Sequence, residues 1–423
     1  MAGRLQIDEQ ALRDEVLQRF LRYVKIHTSS DKDVEATPST PGQWKLAGLL
    51  AEELEALGLE AAVTDNCYVC ARIPASPRPA TPDGASAPAS VAFLAHLDTA
   101  GEVPGKDVLP QVRDGYDGGV IRLADGVVLD PGADADLAAQ KGRTIIHADG
   151  RTLLGADDKA GVAAIMAAAS YLVAHPELEH GAVEVFFTPD EETGKGLPCF
   201  PAERLTSKVC YTVDGGAAGE FEAECFNAWG AVVRFHGKAI HPGHARGVMV
   251  NAALMAAHYA AMLPRNESPE ATDGYYGYYC LTKVEGDGEA ARLELILRDF
   301  ETAGMARRLA ALESFARAVE AQFPGGRVEV DAKRTYVNMR DRIAEAPAVM
   351  DDLRKAAAAA GVPFILKPVR GGTDGSRLTE MGIPTPNIFT GGRNFHSRAE
   401  WASLEDMAAA SRVVIHLALL AGA

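Results

Sequence analysis

Residues 161–174, GVAAIMAAASYLVA, form a helical run built almost wholly from Ala, Val, Ile and Met. A helix without a polar stripe has to be covered on most of its sides. Two apolar, strand-like segments follow it, residues 182–188 and residues 209–214. Strands alternating with a buried helix predict an α/β catalytic domain with a mostly parallel central sheet. Upstream, Leu12, Val16, Phe20 and Val24 repeat at helical spacing and predict a helix over 9–28. A second helix is expected over 41–58, entered at Pro41-Gly42 and closed at Gly58. Apolar runs at 60–64, 67–73 and 91–95 read as strands, and the Pro-, Ala- and Ser-rich stretch 74–90 as a surface loop.

The middle of the chain has another rhythm. Strand patterns at 229–237, 276–285, 291–299 and 327–335 combine with helical patterns at 247–263 and 301–322. The order is β-α-β-β-α-β, the ferredoxin-like unit. It predicts an inserted domain over 224–334 within a discontinuous catalytic domain of 1–223 and 335–423. A helix over 346–360, a strand over 363–368 and a closing helix over 402–420 complete the expectation.

A formal net charge of -16 leaves no basic surplus to neutralise phosphates, which argues against nucleic acid or an anionic membrane as partner. No apolar stretch is long enough to span a bilayer. The start lacks the apolar core of a signal peptide. The six cysteines are scattered, and the Cys67-x-x-Cys70 pair has no second pair to complete a zinc site. Reduced, buried thiols in a cytoplasmic protein are the expectation.

Metal-type ligands concentrate where apolar strands stop or helices start. His96 and Asp98 follow the run 91–95; Asp157 and Asp158 precede the buried helix. Asp190, Glu191 and Glu192 follow the strand 182–188, and Asp214 ends the next one. His396 lies far downstream in Gly391-Gly392-Arg393-Asn394-Phe395-His396. Ligands of open α/β sheets bind at the carboxyl ends of the strands. Several carboxylates gathered there repel one another unless cations neutralise them. Two histidines with three carboxylates suit a pair of zinc-like ions sharing a bridging carboxylate, with room for water.

The strings AHLDT, LLGADDKAG, FTPDEETGKG, YTVDGG, HPGHARGVMVNA, RGGTDG and GGRNFH occur in this order over essentially the whole chain. They resemble the motifs of the dizinc metallo-exopeptidase family, and within it those of the tripeptide aminopeptidases. The resemblance implies a zinc-exopeptidase fold with a lid domain, and hydrolysis of the N-terminal residue of a short peptide. It implies that His96 and Asp214 hold one Zn(2+) and Glu192 and His396 the other, with manganese or cobalt as possible replacements. It implies that Asp157 bridges them and is joined to Asp158 by a cis peptide. It implies that Asp98 orients His96 and that Glu191 is the general base. His241 is implied as a lid histidine at the substrate, often supplied across a homodimer. Arg298 and Arg370 are candidates to grip a substrate carboxylate. The related dipeptidases and N-acyl amino acid deacylases are the alternative activities, and a non-catalytic peptide-binding protein is a third. His27, His147, His175, His180, His236, His244, His258 and His416 match no ligand position. Two adjacent glutamates with different tasks require the chain to leave strand geometry after Pro189, since strand neighbours face opposite ways.

Overall fold

The computed structural model describes residues 7–77 and 89–423. Of the loop expected at 74–90, residues 78–88 lie outside the described residues. The chain divides into two compact units. One comprises Met1–Ala223, Asp341–Lys367 and Thr373–Ala423; the other comprises Glu224–Arg340 and Pro368–Gly372.

The larger unit is built on an eight-stranded sheet. Its spatial order is Glu60–Val63, Val69–Ile73, Ala182–Thr188, Ser90–His96, Cys210–Gly215, Asn387–Phe389, Glu220–Glu222 and Ile365–Leu366. The four central strands, Ala182–Thr188 to Asn387–Phe389, run parallel. Antiparallel pairs flank them on both sides. His96 pairs with Thr188, so two central strands end level with one another. That shared edge is where a parallel sheet presents its loops to a ligand.

The helix Ala156–Ala174 packs on Ser90–His96 and Cys210–Gly215 and is covered by the helices Glu9–Tyr23 and Leu404–Gly422. Its all-apolar composition is thereby explained. Gly161 allows the close approach: a Cβ there would stand 1.8 Å from the Val213 carbonyl and 2.4 Å from an Asp158 carboxylate oxygen. A second, small sheet joins Gly392–Arg393, Trp401–Ser403, Ile145–His147 and Gln111–Arg113. Strands of two or three residues carry too little pattern to be seen in a sequence.

Several element ends move relative to expectation. The first helix stops at Tyr23, not 28. The strand expected at 363–368 shrinks to Ile365–Leu366. The peptide between Asp157 and Asp158 is cis. All six cysteines are free, but they are not uniformly buried: Cys199 is exposed and Cys280 half-buried. Among the described residues no helix is long and apolar enough to cross a membrane.

The smaller unit carries a four-stranded antiparallel sheet ordered Tyr278–Gly286, Ala290–Asp299, Asn227–His236, Arg327–Tyr336. The helices Ala252–Met262 and Thr302–Gln322 complete the β-α-β-β-α-β order. Val233, Phe235, Leu293, Leu297, Leu312 and Val319 form its core. The helix expected from 247 begins only at Ala252, where the Asn251 side chain accepts the Leu254 amide. The final strand runs through residue 334, and the unit extends to Arg340. Residues 368–372 join it through a bridge between Cys225 and Val369.

Candidate metal centre and active site

The turn after Ala182–Thr188 departs from strand geometry as the paired glutamates require. Asp190 adopts φ 56, ψ 27, Glu191–Thr193 form one 3-10 turn, and Gly194 is again left-handed at φ 71. Asp190 anchors this turn rather than facing a ligand. Its carboxylate accepts the Ser39 amide at 2.8 Å, the Ser39 hydroxyl at 2.5 Å and Gln43 Nε2 at 2.7 Å. Lys195 Nζ donates to the carbonyl of Val34 at 2.8 Å. The loop before the second helix is thus tied to the glutamates from both sides.

His96, Asp157, Glu192, Asp214 and His396 meet in the larger unit. His96 Nε2 lies 2.9 Å from Asp157 Oδ1 and 3.5 Å from Asp214 Oδ1. His396 Nε2 lies 3.3 Å from Asp157 Oδ2 and 3.0 Å from Glu192 Oε2. Each oxygen of Asp157 therefore faces one histidine, and each histidine also faces one further carboxylate.

Positive charge is what this cluster calls for. Burial pushes Glu192 up to about 8, helped by repulsion from Asp157. Burial likewise takes Asp214 up to about 6. Hydrogen bonds that His396 donates to the Asp157 and Glu192 carboxylates drive its pKa up to about 11. Burial opposes a charge on His96, yet Asp214 and Asp157 raise its pKa well above the ordinary value. Burial also works against the Asp157 carboxylate, but His396 and His96 hold its pKa low. Glu192 Oε1 is buried without a hydrogen-bond partner. An orphaned carboxylate oxygen among imidazoles and carboxylates fits a divalent cation. Ligand-capable atoms of His96, Asp157 and Glu192 lie within 4.8 Å of one another, as do those of His96, Asp158 and Asp214. Asp158 is nevertheless spent on the backbone. Its oxygens accept the amides of His96 and Gly161, both at 3.1 Å, and it is fully buried.

Asp98 does more than the expected orientation of His96. His96 Nδ1 is 3.0 Å from the Asp98 carbonyl and 3.4 Å from its carboxylate. The carboxylate itself accepts the amides of Glu191 at 3.0 Å and Glu192 at 3.2 Å. One residue thus sets the imidazole by its main chain and both glutamates by its side chain. Desolvation and repulsion from Asp214, Asp374 and Glu192 raise the Glu191 carboxyl well above the usual range, against the opposing pull of His96. A carboxylate with raised proton affinity is suited to general-base work.

The residues expected to contact substrate lie in the smaller unit. His241 is exposed at the start of the turn Pro242–His244, where its Nδ1 accepts the Gly243 amide at 3.1 Å. Arg298 stands over the Tyr336 ring at 5.4 Å and donates to the Leu297 carbonyl. Arg370 donates to the carbonyls of Gly274, Tyr276 and Thr272 and to the Thr272 hydroxyl, at 2.8 to 3.1 Å. Its guanidinium also lies over Phe226 and Tyr278. Four of its five donors are taken, so the guanidinium clamps its own unit's 272–276 segment.

Three acids escaped the sequence reading of the site, Asp374 and Glu400 buried and Glu222 half-buried. Asp374 accepts the Thr188 hydroxyl at 2.6 Å beneath the glutamate turn. Glu222 accepts Asn387 Nδ2 at 2.6 Å, and Asn387 Oδ1 accepts the Asp214 amide at 3.0 Å. Glu400, 1% exposed, accepts backbone amides of the 154–157 turn. Asp374 lies inside RGGTDG and Glu400 four residues beyond GGRNFH, and that placement was the available signal.

Residues 136–420 match the model of peptidase family M20/M25/M40. The chain is 44% identical over 409 residues to Peptidase T of Geobacillus sp. (strain WCH70), covering 96% of this chain and 98% of that one. It is 43% identical over 412 residues to Peptidase T of Listeria monocytogenes serotype 4b (strain F2365), covering 97% and 99%. Its fold is similar to that of aminopeptidase PepT from Bacillus cereus, with a TM-score of 0.74 and 22% identity over 97% of this chain and 99% of that one. A tripeptidase from Staphylococcus aureus gives a TM-score of 0.74 at 19% identity, over 97% and 98%. A dinuclear metal binding M20 peptidase from Bacillus subtilis gives 0.63 at 15%, over 97% and 98%.

Proposed function

The chain belongs to peptidase family M20/M25/M40 and is a metallopeptidase, and from that premise we propose that it is a dizinc aminopeptidase acting on tripeptides. The observation that carries this reading is Asp157, whose two carboxylate oxygens face two histidines, each beside one further carboxylate. In this reading His96 and Asp214 would hold one Zn(2+), Glu192 and His396 the other, and Asp157 would serve both. When bound, such ions lower the pKa of a coordinated water toward 7 and polarise a carbonyl.

The protein's own part follows from the geometry. Glu191 takes the proton from water and returns it to the leaving amine. Glu192 cannot share that task, because its carboxylate is committed beside His396 and Asp157. Asp98 holds both glutamate amides and so keeps the two roles apart. A cavity of about 610 Å³ lined by Ser29, Ser30, Asp31, Gly101, Glu102 and Glu192 gives a short peptide room in the larger unit. His241 and Arg298 are the proposed substrate contacts of the smaller unit. The proposal includes a cytoplasmic homodimer.

The names Peptidase T and tripeptidase among the relatives support tripeptides over dipeptides or N-acyl amino acids. Hydrolysis rates for di-, tri- and tetrapeptides sharing one N-terminal residue test this. Equal rates on all three lengths would reject the tripeptide reading. Elemental analysis of purified protein tests the metal, with two zinc ions per chain expected.

A further inference from the structure

We propose that Glu400 is the positioning residue of Asp157, setting both metal half-sites at once. This rests on the two-metal reading of the site. Glu400 Oε2 accepts the amides of Leu154 at 2.7 Å and Gly155 at 2.8 Å, and Oε1 accepts the Asp157 amide at 3.1 Å. Gly155, at φ 82, lets the turn fold its amides around the carboxylate. Asp157, in the first turn of the helix Ala156–Ala174, lies outside helical geometry at φ -86, ψ 105. Its amide is satisfied by Glu400. A buried carboxylate accepting three amides is a strong, charge-assisted anchor.

The anchor is itself fixed. Trp401 follows directly, is fully buried, and pairs with His147 in the small sheet. Its indole Nε1 donates to Asp134 Oδ2 at 3.1 Å. His396 and Glu400 are four residues apart on one segment and hold Asp157 from opposite ends. His396 faces the carboxylate and Glu400 holds the main chain. Glu192 and Asp214 each serve one half-site, whereas Asp157 faces both. Releasing its backbone therefore disturbs both sites together.

The test is stepwise zinc binding, by competition with a chromophoric chelator, to full-length wild type, Glu400→Gln and Glu405→Gln. Glu405 is the control, because its carboxylate accepts a backbone amide too, that of Thr144, away from the cluster. Loss of a partner that orients a ligand costs about 10–100-fold in metal affinity. That loss is expected for both ions in Glu400→Gln and for neither in Glu405→Gln. Unchanged affinity, loss at one ion only, or the same loss in Glu405→Gln would each overturn the inference. Should Glu400→Gln fail to fold by circular dichroism, Glu400→Asp is titrated in its place, with the same expectation. Unprotected Leu154, Gly155 and Asp157 amides in hydrogen exchange of the wild type would overturn it without any variant. A wild type that binds fewer than two ions would instead reject the two-metal reading.

Discussion

The two units treat their functional candidates differently. In the larger one, His96, Asp157, Glu192, Asp214 and His396 touch one another, and a second layer of carboxylates holds their backbones. Asp98 holds the glutamates, Asp158 holds His96, and Glu400 holds Asp157. In the smaller one, His241 is exposed, Arg298 lies on a tyrosine ring, and Arg370 is tied to carbonyls. A metal centre fixes the mutual positions of its residues, so packing alone assembles it. Groups that bind a transient substrate carry no such constraint, and a fold can use an arginine among them as a clamp.

The comparison is sharpened most by Glu191→Ala. If the cluster is a metal centre with Glu191 as the separate base, kcat falls by about 10²–10⁴-fold while metal content stays at the wild-type level. Loss of metal together with activity would make Glu191 a ligand and merge the two roles. Gly161→Ala probes the packing that aligns the cluster. The added methyl has to displace both the Val213 carbonyl, next to Asp214, and the Asp158 carboxylate. A loss of about 3 kcal/mol or more in unfolding free energy is expected, and an unchanged melting temperature would contradict the close approach.

Arg370→Ala and Arg298→Ala test the other side. Arg370→Ala removes four hydrogen bonds and two ring contacts, so a destabilisation of about 2 kcal/mol is expected. Arg298→Ala is expected to raise KM with little change in thermal stability. A raised KM in Arg370→Ala at unchanged melting temperature would return that residue to the substrate and break the contrast.

The smallest effect concerns pH. His147 is buried, donates from Nδ1 to the Ala148 carbonyl and accepts Arg113 Nε at 2.9 Å. Burial lowers its pKa. The unfolded chain then binds the proton more readily than the folded one. Stability is full above the unfolded value of about 6.5 and declines as pH falls below it, by at most about 1.4 kcal/mol per pH unit. Melting curves between pH 5 and 8 check this, with a shallower slope expected for His147→Gln.

Much of the cluster was legible because its parts sit in strings with a shared physical logic. Acids stand at strand ends, and glycines flank Asp157-Asp158. The turn after Pro189 was also readable, because two adjacent glutamates cannot face one cavity from a regular strand. What escaped is instructive. Glu400 is a single acid with no periodicity around it, and its partners lie some 245 residues upstream. Asp190 stands beside the paired glutamates in sequence, but its partners sit at Ser39 and Gln43. Roles that depend on distant backbone amides leave no local trace in composition or spacing. Arg370 makes the same point: its carbonyl partners, some 95 residues upstream, leave no trace in the glycine-rich motif beside it.

The order of the ligands along the chain has one more consequence. The first four cluster residues fall between 96 and 214, and the last is residue 396, beyond the whole smaller unit. On the ribosome, the carboxylates of Asp157, Glu192 and Asp214 emerge long before the imidazole of His396 and the carboxylate of Glu400. A nascent chain therefore carries four of the five cluster residues, and in the two-metal reading tight capture has to wait until synthesis is almost finished.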